Sequence, residues 1–145
     1  MKLRDALNKF YRDMSIGELQ LMNSLDQYPN VTYNSLLYLD IISYRKDCTA
    51  SYLSRVLHIS KPAVTVKINE LLRQGLITKE QSKEDKRVYY LSVDPKIRKE
   101  FNVYNKNLFY ATDQIEKEYS QEQVMLFCEM LDKMSASFAE GAKHE

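Results

Sequence analysis

Apolar residues recur along much of this chain at helical spacing, and the breaks in that spacing mark its elements. Leu3, Leu7, Phe10 and Met14 are spaced by 4, 3 and 4, one stripe of an amphipathic helix. Ser15-Ile16-Gly17-Glu18 then has the form of a capping box, with Ser15 as N-cap, Glu18 at N3, and Met14 and Leu19 as its hydrophobic staple. A break or kink is expected there, then helix to about Gln27 and a stop at Tyr28-Pro29-Asn30. Thr32 is the expected N-cap of the next helix, stapled by Val31 and Leu36 and running to about Arg45. Lys46-Asp47-Cys48 connects it to a short helix that Thr49 caps and that buries Leu53, Val56 and Leu57. His58-Ile59-Ser60 is a tight turn. Ser60 caps a further helix through about Gln74, in which Pro62 is tolerated because the first turn has no partner for its missing N–H. Val64, Ile68, Leu71 and Leu72 give that helix an apolar face, and Gly75 suits the C′ position, where φ must be positive.

The helical spacing then stops. Leu76–Gln81 and Arg87–Val93 are runs rich in β-branched and aromatic residues on either side of the polar Ser82-Lys83-Glu84-Asp85-Lys86, which predicts a β-hairpin. Asp94-Pro95 opens the next helix as N-cap and N1. Ile97, Phe101, Tyr104, Leu108, Ala111 and Ile115 repeat at 4, 3, 4, 3 and 4, a heptad seam on one long helix. Ser120-Gln121-Glu122-Gln123 is a second capping box, with Tyr119 and Val124 as staple, and Val124, Phe127, Leu131, Met134 and Phe138 continue the pattern.

Composition narrows the class. With 145 residues, 44% of them hydrophobic, the chain is the size of one domain and can bury a core. Three glycines and three prolines are too few for a β-sandwich, and Gly17, Gly75 and Gly141 cannot build a phosphate-binding loop. Cys48 and Cys128 are too few for a disulfide framework. With His58 and His144 they show no metal-ligand spacing, so neither metal nor cofactor is expected. The amphipathic, charged N-terminus is unlike a signal peptide, and no apolar run approaches the ~18 residues of a membrane span. A cytoplasmic protein without membrane contact is expected. No HExxH motif or nucleophile elbow suggests an enzyme.

The net charge of +1 conceals an asymmetry. Residues 45–99 hold 13 Lys/Arg against 6 Asp/Glu, a local +7, while the remainder holds 8 against 14, a local −6. A basic middle in the order helix, tight turn, helix, hairpin describes a winged helix-turn-helix, whose second helix is sized for the major groove of B-DNA. The candidate contacts on that helix are Ser60, Lys61, Pro62, Ala63, Val64, Thr65 and Lys67. Lys61 and Lys67 suit phosphate or guanine, Thr65 offers a hydroxyl and a methyl, and Ala63 and Val64 suit the thymine methyl. Ser60 and the free N–H groups of the first turn suit a phosphate. On the wing, Lys79, Lys83, Lys86 and Arg87 surround a flexible tip. Arg87 suits a narrow minor groove, and Asp85 is placed to brace it.

Four segments resemble the MarR family of bacterial transcriptional regulators: Thr49-Ala50-Ser51-Tyr52-Leu53, Ile59-Ser60-Lys61-Pro62-Ala63-Val64-Thr65, Leu71-Leu72-Arg73-Gln74-Gly75-Leu76-Ile77 and Asp85-Lys86-Arg87. The likeness is best over residues 32–95, and the wing Asp-x-Arg is its most specific part. It implies a homodimeric winged-helix protein, usually a repressor, that releases DNA on binding a small, often phenolic, ligand or on thiol oxidation. It also implies that Asp85 and Arg87 are the wing pair and that the helix starting at Lys61 reads DNA. His58 stands where a glycine is common in the turn. Tyr52 and Ser54-Arg55 replace the usual Glu-Leu-Ala pattern, and the break at Ser15 departs from the family's single long first helix.

The fold expected is therefore mainly α with a small β-hairpin wing: dimerisation helices over 1–31, the DNA-binding lobe over 32–94 and further dimerisation helices over 95–145, in one compact domain. One winged helix reads few base pairs, so a homodimer on a pseudo-palindromic operator in double-stranded DNA is expected. Its interface candidates are Leu3, Leu7, Phe10, Val124, Phe127, Leu131, Met134 and Phe138. Among eleven tyrosines, Tyr38, Tyr44 and Tyr104 are candidates to line a site for a small aromatic effector. Cys48 follows Lys46 near a helix N-terminus, two features that lower a thiol pKa, and is the redox candidate; Cys128 reads as core. The competing function is a winged-helix module that binds protein rather than DNA.

Overall fold

The computed structural model describes residues 1–24 and 30–141. Its elements are α1 (Leu3–Ser24), α2 (Tyr33–Tyr44), α3 (Ala50–Leu57), α4 (Lys61–Arg73), β1 (Ile77–Gln81), β2 (Tyr89–Val93), α5 (Pro95–Tyr104), α6 (Lys106–Glu118) and α7 (Gln121–Gly141). The chain divides into two compact units, Met1–Tyr104 and Asn105–Glu145.

The start of α2 is fixed locally. Thr32 Oγ1 accepts from the Ser35 N–H at 3.2 Å and the Thr32 N–H donates to Ser35 Oγ, a capping box made with serine rather than glutamate. Thr49 caps α3 through the Tyr52 N–H at 3.1 Å, and Ser60 caps α4 through the Ala63 N–H. Between these helices His58 sits in the left-handed region, φ 52 and ψ 38, at the C-cap of α3. The turn closes because the Ile59 N–H reaches the Ser54 carbonyl, while Ser54 Oγ donates to the Ile59 carbonyl at 2.6 Å. Gly75 ends α4 at φ 69, a conformation that costs glycine little.

β1 and β2 pair antiparallel from Ile77↔Val93 to Gln81↔Tyr89. The other edge of β2 is capped by the connection after α2, where the Leu91 N–H donates to the Cys48 carbonyl at 2.8 Å. One core gathers Leu36, Tyr38, Leu39 and Ile42 of α2 with Cys48 and Leu53, and with Val64, Ile68 and Leu71 of α4. Leu76, Ile77, Leu91, Val93 and Ile97 complete it. Burying such side chains at ~1.5–3 kcal/mol each is what holds three short helices and a two-stranded hairpin together.

Three local expectations are corrected. Helix α1 runs without a break through Ser15, whose hydroxyl donates back to the Tyr11 carbonyl at 2.9 Å instead of capping a new helix. Its expected end near Gln27 lies outside the described residues, as do Tyr28 and Pro29. The long heptad helix is two helices, because Asn105 interrupts it at φ −80, ψ −4 without a side-chain cap. Ile97 belongs to the lobe's core, whereas Leu108 is exposed in the other unit. Val56 is exposed rather than buried on α3.

In the second unit the capping box forms as expected: the Ser120 N–H donates to Gln123 Oε1 at 2.9 Å and the Gln123 N–H to Ser120 Oγ at 3.3 Å. Tyr119 is exposed, and Cys128 is exposed on α7 rather than core. No helix among the described residues is long and apolar enough to cross a membrane.

Candidate nucleic-acid interface

Helix α4 turns one face inward and leaves the other bare. Val64, Ile68 and Leu71 are buried, while Lys61, Pro62, Ala63, Thr65, Val66, Asn69 and Arg73 are exposed. Two expected contacts therefore move to the inner side. Val64 is fully buried in the core, so it offers nothing to a thymine methyl. Lys67 has a side chain only 12% exposed; its ammonium donates to Ser35 Oγ at 2.9 Å and to Glu70 Oε1 at 3.0 Å. It ties α4 to the capped start of α2. The sequence pattern could not place it there, because the partner lies 32 residues away.

The start of α4 is also less open to an anion than expected. Pro62 has no N–H, Ser60 Oγ takes the Ala63 N–H and the Ser60 carbonyl takes that of Val64. The Lys61 N–H is the one first-turn donor left open among the described residues. Thr65 Oγ1 donates to the Lys61 carbonyl at 2.8 Å, and the residue is exposed.

The wing tip is braced rather than loose. Ser82 is buried and its Oγ accepts from the N–H groups of Glu84 and Asp85 at 3.2 and 3.3 Å. The Ser82 N–H donates to the Val88 carbonyl, and the Val88 N–H to that of Asp85, each at 2.9 Å. Gln81 Nε2 donates to the Lys86 carbonyl at 2.6 Å.

On this frame Asp85 and Arg87 form a two-pronged pair: Nε to Oδ1 at 3.1 Å and Nη2 to Oδ2 at 3.0 Å, with the Arg87 N–H also on Oδ1 at 3.0 Å. The Arg87 side chain donates first and its backbone second, and together they hold the Asp85 carboxyl below the ordinary carboxylate range. The Arg87 side chain remains 91% exposed. An arginine clamped on one edge keeps donors on the other free for an outside acceptor. Lys83 and Lys86 stand exposed beside it, and the Lys79 ammonium lies 4.3 Å over the Tyr89 ring.

Two cations escaped the sequence reading. The Arg45 guanidinium lies 4.1 Å from the Tyr52 ring centroid and that of Arg55 lies 5.6 Å from it. Tyr52, a departure from the family pattern, thus holds two exposed arginines near the first helix of the motif. Val66 and Asn69 were missed as well, although their spacing opposite the core stripe could have revealed them.

The effector and redox candidates lie in different settings. Tyr38 is buried in the core, Tyr44 is 82% exposed, and the side chain of Tyr104 lies outside the described residues. Cys48 is fully buried, and that burial pushes its thiol up to about 11 despite the nearby Arg45 charge. The lowered pKa expected from Lys46 and the helix N-terminus is reversed. No group of His, Cys, Asp and Glu that could hold a metal ion occurs among the described residues.

An outward helix following a tight turn, with a cationic hairpin beside it, defines a winged helix-turn-helix. Residues 31–89 match the MarR family model, so this lobe resembles the winged helix of that family. No curated protein matches the sequence closely enough to count as a relative. Solved structures share the fold over nearly the whole chain. Streptococcus pneumoniae FabT in complex with DNA has a TM-score of 0.71 at 21% identity, covering 95% of this chain and 96% of that one. A mutant MepR from a multidrug-resistant S. aureus clinical isolate has 0.73 at 16%, covering 95% and 98%. A Listeria monocytogenes protein described as a MarR family transcriptional regulator, complexed with a 26mer DNA, has 0.64 at 18%, covering 97% and 91%.

Proposed function

We propose that this chain is a dimeric, sequence-specific DNA-binding regulator of transcription, a repressor that a small ligand releases. The observation that carries the reading is the wing: Arg87 is held in one orientation by Asp85 yet almost wholly open to an external acceptor. The outward face of α4, the local charge of +7 over residues 45–99 and two similar folds solved with DNA support it. In this reading α4 enters the major groove through Lys61, Pro62, Ala63 and Thr65. Lys83, Lys86 and Arg87 hold the flanking backbone and minor groove, while Arg45 and Arg55 serve phosphates.

The dimer rests on apolar side chains that the chain leaves uncovered: Leu3 and Phe10 on α1, and Phe127, Leu131 and Phe138 on α7. Exposed apolar residues at helical spacing call for a partner, and a second copy gives the two reading heads that a pseudo-palindrome requires. The ligand rests on the family alone and has no assigned residues: Tyr38 is buried, Tyr44 is exposed and the Tyr104 side chain lies outside the described residues.

Fluorescence anisotropy of the full chain with a labelled duplex, carrying the DNA upstream of its own gene, tests the reading. Affinity should fall steeply with salt, log K losing ~0.9 per phosphate contact for each tenfold rise. Affinity that is absent or flat across the series would instead favour a protein-binding winged helix, a reading that draws on the overall charge of only +1.

A further inference from the structure

The outward face of α4 has a chemical bias of its own. Residues at 4, 3 and 4 lie along one line of a helix. Val64, Ile68 and Leu71 mark the line that faces the core, and Pro62, Val66, Asn69 and Arg73 mark the line directly opposite, all exposed. Val66 is 67% exposed, so its two methyl groups are open to an apolar partner. Ala63 flanks it, and the Thr65 hydroxyl proton is already used on the Lys61 carbonyl, which leaves a methyl on the other flank.

The central part of this line lacks the donors that read guanine. Guanine offers two acceptors to the major groove, N7 and O6, and is matched by Arg or Lys. Here Lys67 is turned inward onto Ser35 and Glu70. Lys61 is the first residue of the helix and lies off the line, and Arg73 is at the far end, where a recognition helix leaves the groove for the backbone. What remains is an exposed valine and, three residues on, an exposed carboxamide. Valine is matched by the thymine C5-methyl, and a carboxamide by the N6 and N7 of adenine, to which it can donate and from which it can accept at once.

We propose that α4 reads a half-site centred on A·T pairs, with Val66 against a thymine methyl and Asn69 on a neighbouring adenine edge. This rests on the DNA-binding reading and goes beyond it by naming the bases and the residues that choose them.

The test begins with selection of duplexes from a random library by the full chain, followed by single-atom changes in the selected site. Selected half-sites should hold A·T pairs at their centre. Replacing the contacted thymine by deoxyuridine removes only the methyl and should weaken binding about fourfold, the factor one buried methyl is worth. Val66→Ala should bind the thymine and uracil duplexes equally. Asn69→Ala should lose about tenfold on the adenine duplex and nothing further when that adenine is 7-deazaadenine. Both residues are exposed, and unchanged circular dichroism melts would confirm that the variants fold. Selection of G·C at the centre, or a deoxyuridine scan in which no thymine matters, overturns this inference and leaves the regulator reading standing. Failure to retain any duplex overturns both.

Discussion

Arg87 and Asp85 show how a short separation in sequence makes a reading device. Their double hydrogen bond is exposed, so its use is orientation rather than stability. Arg87→Ala should weaken DNA binding by ~1–3 kcal/mol with the thermal melt unchanged, and unaltered anisotropy would remove Arg87 from the interface. Lys67 carries the opposite expectation. Because its ammonium is spent on Ser35 and Glu70, Lys67→Met should lower stability by about 1 kcal/mol while leaving the salt dependence of DNA binding unchanged. A slope reduced by about one phosphate's worth would put Lys67 back on the DNA. Cys48 is the third case. Folding raises its pKa from the ordinary 9.0 to about 11, which favours the protonated thiol. That contribution to stability is complete below about pH 9 and is lost as pH rises toward 11. Near neutral pH, iodoacetamide should label the exposed Cys128 rapidly and Cys48 only on unfolding, as peptide mass spectrometry would show.

At the scale of elements, the tight turn sets the angle between α3 and α4, and it stands on a histidine in a glycine-like conformation. A non-glycine residue there costs about 1 kcal/mol, which the two hydrogen bonds between Ser54 and Ile59 help to offset. His58→Gly should therefore raise the melting temperature by a few degrees without changing operator affinity; a fall in melting temperature would show that the imidazole itself stabilises the turn.

The caps at Thr32, Thr49, Ser60, Asp94 and Ser120 were legible because a cap is written within about four residues of chain. So were the turn, the hairpin and the core stripe of α4. The same motif misled at Ser15, where a serine and a glutamate three apart satisfy the pattern of a helix start. A serine inside a helix has another outlet, the carbonyl one turn back, and Ser15 takes it. The heptad from Ile97 to Ile115 misled for the converse reason: periodicity survives a one-residue interruption such as Asn105, whereas the helix does not.

At the scale of the molecule, α1, α6 and α7 each carry exposed apolar side chains. Leu3, Phe10, Leu108, Phe109, Phe127, Leu131 and Phe138 are all exposed. Sedimentation equilibrium should give twice the chain mass of 17.1 kDa. Phe127→Asp with Leu131→Asp should return a single chain that binds a half-site but loses most of its affinity for the paired operator. A wild-type chain of single mass at micromolar concentration would remove the dimer from the proposal.

From its sequence alone this protein had its winged helix-turn-helix, its caps and its wing pair, because each depends on contacts between residues close along the chain. The remaining roles waited on packing. Val64 and Val66, two residues apart on α4, became a core residue and an exposed one. Lys67 turned from DNA to a serine of another helix, and Cys48 went under the hairpin, where its thiol is harder to ionise. Periodicity says which side chains share a face; which face is covered, and by what, depends on elements that meet only when the chain folds.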